Sequence, residues 1–133
     1  MKSTTLACVV SVVTLIVLDA LWLTVGGVGN AFLSMASKIG SIQPWKSWQR
    51  VLFAIAAYIL LSAALCSVAF SEKDPAKAAA RGAFLGLVIY GVYDCTNLAV
   101  FGRGYGLELA MADLCWGTFV MGISSFAGAL AVS

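Results

Sequence analysis

The sequence contains no histidine, and no two of its four cysteines form a CxxC pair. Zinc, haem and iron–sulfur centres depend largely on these residue types at close spacing, so we predict no metal site and no cofactor. Each cysteine lies in a different apolar stretch, which favours four small buried side chains. A disulfide between Cys8 and Cys66, which are expected near the same membrane face, is an alternative.

Charge is also scarce, at 11% of residues with a formal net charge of +2, and the basic residues form no run. A nucleic-acid partner is therefore not expected. No nucleophile and base stand in a recognisable pair, and without histidine any general acid or base would have to be an aspartate. The sequence predicts no catalytic residue and favours a protein that is not an enzyme.

Apolar residues dominate what is present. They make up 62% of the 133 residues, and the mean hydropathy is +0.98, whereas an ordinary soluble domain is roughly half apolar. A bilayer core requires about 20 mostly apolar residues per helix. The sequence contains four such runs and predicts an all-α integral membrane protein, a single transmembrane domain over residues 1–133 folded as an up-and-down bundle. The predicted helices span residues 5–27, 51–70, 75–102 and 107–132.

The first run has a competing interpretation, since Lys2 precedes it as in a cleaved signal peptide. The run is longer than a usual signal core and lacks Ala-x-Ala spacing near its end, so a retained helix is favoured. Basic residues divide equally between the two membrane sides and do not determine orientation. The free amino group and the compact basic loop at 71–78 favour the N-terminus in the cytosol by a small margin. Nothing indicates which membrane holds the protein.

The connection at 27–50 is the longest one. Apolar residues recur there at steps of three and four, which predicts a short amphipathic helix on the bilayer surface; they are Phe32, Met35, Ile39 and Ile42. Pro44 should end this helix. Trp45 and Trp48 then follow beside basic residues, as expected of anchors at the headgroup boundary. An aromatic pair that grips a ligand is the alternative.

The predicted third helix has a clear start. Asp74 can cap its backbone amides, and Pro75 fits its first turn. Ala78, Gly82 and Gly86 then form a stripe of small residues at steps of four. Such stripes let helices approach closely in lipid, so we expect Gly82 and Gly86 to be packing residues.

Polar residues interrupt the stretch LVIYGVYDCTNLAVF at 87–101. Counting about 1.5 Å per residue from the helix ends, side chains from all four helices reach one level, roughly 10 Å below one membrane face; they are Asp19, Tyr58, Asp94 and Asp113. Tyr90, Tyr93, Asp94 and Asn97 share one arc of about 100 degrees. The aspartates of the first and last helices share a face with Trp22 and Trp116. The sequence thus predicts a buried polar layer.

Buried aspartates in a membrane usually face a bundle interior and mark a function. Arg50 and Arg103 are the nearest cations in sequence, so either they pair with part of the layer or some carboxylates stay protonated. The layer itself has three interpretations. It is a hydrogen-bond network that locks the helices together, or it binds a proton, a cation, an amine or a lipid headgroup. Catalysis by the layer is the least favoured, because no nucleophile and base pair is visible.

The same residues resemble the domain-of-unknown-function family 2177. The resemblance is carried by LDALW at 18–22, GAFLGLVIYGVYDCTNLAVF at 82–101 and DLCWGT at 113–118, and it extends over nearly the whole chain. It implies a small four-helix membrane protein but supplies no biochemical activity. It also carries the family's polar positions onto Asp19, Trp22, Tyr90, Tyr93, Asp94, Thr96, Asn97, Asp113 and Trp116.

Two functions are compatible with these features. Small size, short loops and the lack of a cofactor motif favour a membrane component or accessory subunit of a larger organellar, bacterial or virion-associated assembly. Its expected partners are the lipid bilayer and other membrane subunits, or further copies of itself. The alternative is a binding or transport protein that uses the buried polar layer.

Overall fold

The computed structural model describes residues 2–25, 27–39 and 47–133. Within these ranges the chain forms five α-helices and one 3-10 turn, with no β-strand. The helices are α1 (Lys2–Val25), α2 (Val28–Ile39), α3 (Ser47–Ser71), α4 (Pro75–Phe101) and α5 (Leu107–Leu130), and the 3-10 turn is Gly102–Gly104. The predicted all-α architecture, with a short helix between the first two long ones, is confirmed.

Four of the described helices are long and apolar enough to cross a membrane. These segments are Ser3–Val25, Val51–Ser71, Pro75–Phe101 and Leu107–Leu130. The shortest has 21 residues, which corresponds to about 30 Å of helix, the thickness of a hydrocarbon core. Residues 72–74 and 102–106 connect the last three helices, and such short connections join antiparallel neighbours.

Six of the eight predicted helix ends differ from those in the structure, by one to four residues. Helix α1 ends at Val25 rather than at residue 27, and Gly27 has a φ of +67°, a left-handed conformation that glycine adopts without steric cost. Helix α3 begins at Ser47 rather than at residue 51. The prediction counted only the apolar run, whereas the polar residues before Val51 are helical as well.

The start of α4 matches its sequence signal. Asp74 lies in an extended conformation and its side chain accepts a hydrogen bond from the amide of Lys77 at 3.0 Å. Pro75 occupies the first turn, where a missing amide hydrogen costs nothing. The predicted cap is therefore confirmed, and it defines where α4 begins.

Helix α2 packs on α1 and on the 3-10 turn. Phe32 and Met35 are half-buried while Leu33 is exposed, so the described part of α2 is amphipathic. The side chain of Ile39, and Ile42 and Pro44 as a whole, lie outside the described residues. The position of α2 on a bilayer surface stays a prediction.

Helix α5 is the central element. It packs most extensively on α4 and also on α1, while α3 packs chiefly on α1. Of its most apolar stretch 44% is buried, compared with 11% for both α3 and α4, and of these two α3 has far fewer contacts with the other helices. The largest core cluster joins α1, α3 and α5 through Leu15, Leu65, Val120 and Met121. Helix α3 is thus peripheral, and most of its apolar surface faces outward.

Glycines bring α4 and α5 into backbone contact. A Cβ atom at Gly86 would collide with the backbone carbonyl of Gly117, and one at Gly82 would collide with Ser125 and the carbonyl of Met121. Because no side chain separates the helices here, Tyr90 of α4 can lie directly against Gly117. The stripe of small residues predicted from the sequence is therefore a packing surface.

We expect Gly86→Ala to destabilise the protein, because the new methyl group must displace the backbone of α5. The cost of such overpacking is about 1 to 3 kcal/mol. Gly91→Ala is the matched control on the same helix, since its Cβ would meet only the Leu114 side chain at 3.5 Å, an ordinary contact. Thermal unfolding of both purified variants in one detergent checks this, and equal midpoints would contradict the close approach.

Candidate functional site

Asp19 of α1 joins three helices. Its side chain is 8% exposed, and both carboxylate oxygens accept hydrogen bonds. Tyr58 of α3 donates its hydroxyl to Oδ2 at 2.6 Å, and Trp116 of α5 donates its indole N–H to Oδ1 at 2.7 Å. Hydrogen bonds to an ionised carboxylate are stronger than those between neutral groups. This carboxylate therefore ties the peripheral helix α3 to the centre of the bundle.

Asp94 of α4 accepts a hydrogen bond from the connection between α4 and α5. It is 3% exposed, and Tyr105, 2% exposed, donates its hydroxyl to Oδ1 at 2.7 Å. Burial, and then the contact with Asp94, raise the pKa of the Tyr105 phenol well above its usual range, while a hydrogen bond from Asn97 opposes the shift. The phenol therefore keeps its proton and acts as a donor to Asp94.

Tyr105 was not among the site residues predicted from the sequence. It lies outside the four apolar runs, so counting depth along the helices did not include it. The sequence did contain one signal for Tyr105. It is a large aromatic residue in a short connection, and Gly104 and Gly106 flank it. Gly106 adopts a φ of +83°, which lets the chain turn and directs Tyr105 back into the bundle.

Asp113 of α5 and Tyr90 of α4 lie between these two groups. Asp113 is 7% exposed and interacts electrostatically with Asp94 and Asp19. Tyr90 interacts electrostatically with all three aspartates and with Tyr58. The structure thus brings the three carboxylates into one layer across α1, α4 and α5, which we call the polar layer: Asp19, Tyr58, Tyr90, Asp94, Tyr105, Asp113 and Trp116.

Aromatic rings pack beside the polar layer. Trp22 stacks on Trp116 with ring centroids 4.6 Å apart and planes 5° apart, and the Phe119 ring lies tilted against the Trp116 ring at a centroid distance of 5.6 Å. Tyr93 meets Tyr105 edge-on at 6.3 Å. Aromatic pairs in these geometries add stability beyond their buried area.

Two polar atoms next to the layer are buried without a hydrogen-bond partner, Oδ2 of Asp94 and the indole nitrogen of Trp22. An unpaired polar group in such surroundings is costly, so it usually has an additional partner or, for a carboxylate, a proton. Asp19 is fully paired by protein groups and Asp94 is paired only at one oxygen. The two carboxylates therefore differ in chemical character.

Other predicted residues lie elsewhere. Thr96 is exposed, on the outer side of α4, and does not join the layer; Asn97 is half-buried beside Tyr105. Tyr93 is 52% exposed and reaches the layer only through Tyr105. Trp48 is 61% exposed, as an interfacial anchor would be. Trp45 and the side chains of Arg50 and Arg103 lie outside the described residues, so their predicted roles stay predictions.

The four cysteines are free thiols. Cys8 of α1 and Cys66 of α3 are close enough for their thiols to interact, but the alternative of a disulfide between them is not realised in the structure. No group of three or more potential metal ligands of the cysteine or acidic type occurs among the residues that the structure describes.

Four apolar helices of membrane-spanning length around a buried polar layer define a multi-pass membrane protein. The family model described as Predicted membrane protein (DUF2177) matches residues 4–130. The chain belongs to that family, as the motifs around Asp19, Asp94 and Asp113 indicated. No curated protein and no solved structure matches the chain.

We expect Tyr58→Phe to lower stability, because Oδ2 of Asp19 then loses its donor inside the bundle. Hydrogen bonds between membrane helices contribute roughly 0.5 to 2 kcal/mol, so the unfolding midpoint should fall measurably in detergent. Tyr93→Phe removes the same hydroxyl from a half-exposed ring and should leave stability within about 0.5 kcal/mol of the original. If both variants unfold alike, Asp19 does not hold α3 in place.

Proposed function

We propose that this chain is a non-enzymatic membrane component that works as a subunit of a larger assembly. The observation that carries the proposal is the outward face of α3. Val51, Ala54, Ile55, Tyr58, Ile59 and Ser62 line a shallow apolar groove of about 430 Å³. Their spacing is that of one continuous helical stripe.

This groove suits a transmembrane helix of a partner subunit. Lipid gives no hydrophobic driving force between helices, so association depends on close packing around small residues such as Ala54 and Ser62. Ile55 and Ile59 are 52% and 62% exposed and border the stripe. Tyr58 also belongs to it and donates to Asp19, so a partner on this face would press on the polar layer.

The assembly test compares Ala54→Phe with Val13→Phe. The first change fills the groove on α3, whereas the second adds the same ring to α1 at a side chain that is 53% exposed. We expect the mass of the purified full chain in nanodiscs to correspond to two or more copies, or to a complex of fixed stoichiometry with a partner. Ala54→Phe should dissociate it and Val13→Phe should not. A single chain of 13.9 kDa for the unaltered protein, in nanodiscs and after cross-linking in its membrane, would contradict the proposal.

The unpaired oxygen of Asp94 favours a second candidate, in which the polar layer binds a proton or a small cation. A buried charge in a membrane is costly unless it is neutralised. Asp113 interacts electrostatically with Asp94, and two like charges close together in a membrane interior are unfavourable. A proton or a cation at this position would relieve that repulsion.

Asp94→Asn and Asp113→Asn test this second candidate. Asparagine at position 94 can still accept the bond from Tyr105, so we expect a folded protein in both cases. The unfolding midpoint is measured in sodium, lithium and N-methylglucamine chloride at one ionic strength and over a pH series. The unaltered protein should respond to cation or pH, and each variant should lose that response.

Asp19→Asn is the matched control for that experiment. Both oxygens of Asp19 are occupied by Tyr58 and Trp116, so the change should lower the midpoint while the response to cation or pH is kept. An unaltered protein that shows no response, or variants at positions 94 and 113 that retain it, would leave the polar layer a structural network.

A further inference from the structure

A second groove lies on the opposite half of the bundle, between the end of α3 and the first turns of α4. It has a volume of about 420 Å³, and Val68, Phe84 and Leu85 form its apolar wall. Helices α3 and α4 make few contacts with each other, so the groove is open toward the outside of the bundle. Phe84 is 64% exposed beside it.

The basic side chain of Arg81 lies where this groove meets the connection at 72–74. Arg81 lines the groove, its side chain is 53% exposed, and its guanidinium lies 3.3 Å from the Ser71 hydroxyl and 3.4 Å from Glu72. Arg81 lies in the second turn of α4, and long basic side chains near the end of a membrane helix extend toward the lipid headgroups. A polar, cationic rim thus lies above an apolar wall.

The local charge balance is positive. Residues 72–81 contain three cations, Lys73, Lys77 and Arg81, and two acids, Glu72 and Asp74. Both acids are engaged by neighbours: Glu72 accepts the amides of Lys73 and Asp74 and pairs with Arg81, and Asp74 caps α4. In the Arg81–Glu72 pair the guanidinium side chain is 53% exposed and the Glu72 side chain 15%, so an approaching ligand meets Arg81 first.

We infer that the groove between α3 and α4 binds a phospholipid with an anionic headgroup. The acyl chain lies along Val68, Phe84 and Leu85, and the headgroup phosphate pairs with Arg81 next to the Ser71 hydroxyl. Arginine presents donors in a planar fork that fits phosphate oxygens, which explains a guanidinium at this rim. The open junction of the two helices is then filled by lipid rather than left empty.

The test measures binding of phosphatidylglycerol and phosphatidylcholine to the purified full chain in a neutral detergent by native mass spectrometry. We expect a preference for phosphatidylglycerol. Arg81→Gln should reduce it about fivefold, the effect of one basic residue at a membrane surface. Lys73→Gln is the charge-matched control outside the groove and should leave most of the preference intact.

A second pair of variants tests the groove without altering charge. Ala80→Phe places a ring into the groove, which Ala80 lines, and should abolish retained lipid. Ala76→Phe adds the same ring to an exposed position one turn earlier on α4 and should not.

Three outcomes would overturn the inference. The first is equal binding of the two lipids. The second is an equal loss of binding in Arg81→Gln and Lys73→Gln, which would mean a diffuse surface attraction. The third is a change of subunit number in Ala80→Phe with lipid binding kept, which would mean that a second copy fills the groove.

Discussion

A polar group in a membrane must find its partner within the protein, and Asp19 is where this constraint organises the molecule. Its two oxygens accept bonds from two other helices, and no water in the hydrocarbon region can substitute for either donor. The helix positions that satisfy Asp19 also place Trp22 on Trp116. One carboxylate therefore links α1, α3 and α5 at this level.

Glycine packing determines how the remaining helix joins that arrangement. Gly86 and Gly117 let the backbones of α4 and α5 touch, and Tyr90 takes the space that a side chain at Gly117 would fill. This brings Asp94 to the level of Asp113 and Asp19. The close backbone contact of α4 and α5 thus brings Asp94 of one helix near Asp113 of the other.

The peripheral helix α3 connects the proposed functions. It packs more on α1 than on any other helix, and its Tyr58 donates a hydrogen bond to Asp19 of α1. One of its faces presents the apolar stripe proposed for a partner helix, and its end forms a wall of the proposed lipid groove. A helix held by few contacts can respond to a partner, to a lipid or to the charge state of the polar layer with little cost to the rest of the fold.

Composition and periodicity alone determined the membrane class, the four long helices, the cap at Asp74 and the common depth of Asp19, Asp94 and Asp113. These follow from properties of a single helix: its length, its apolar content and its rise per residue. Tertiary structure decided what those properties leave open. It paired Asp19 with Tyr58 and Trp116, brought in Tyr105 from a connection, and turned Thr96 outward, because pairing depends on how helices rotate and pack against one another. That rotation is set by contacts between residues distant in sequence, such as Gly86 with Gly117, which no pattern within one helix contains.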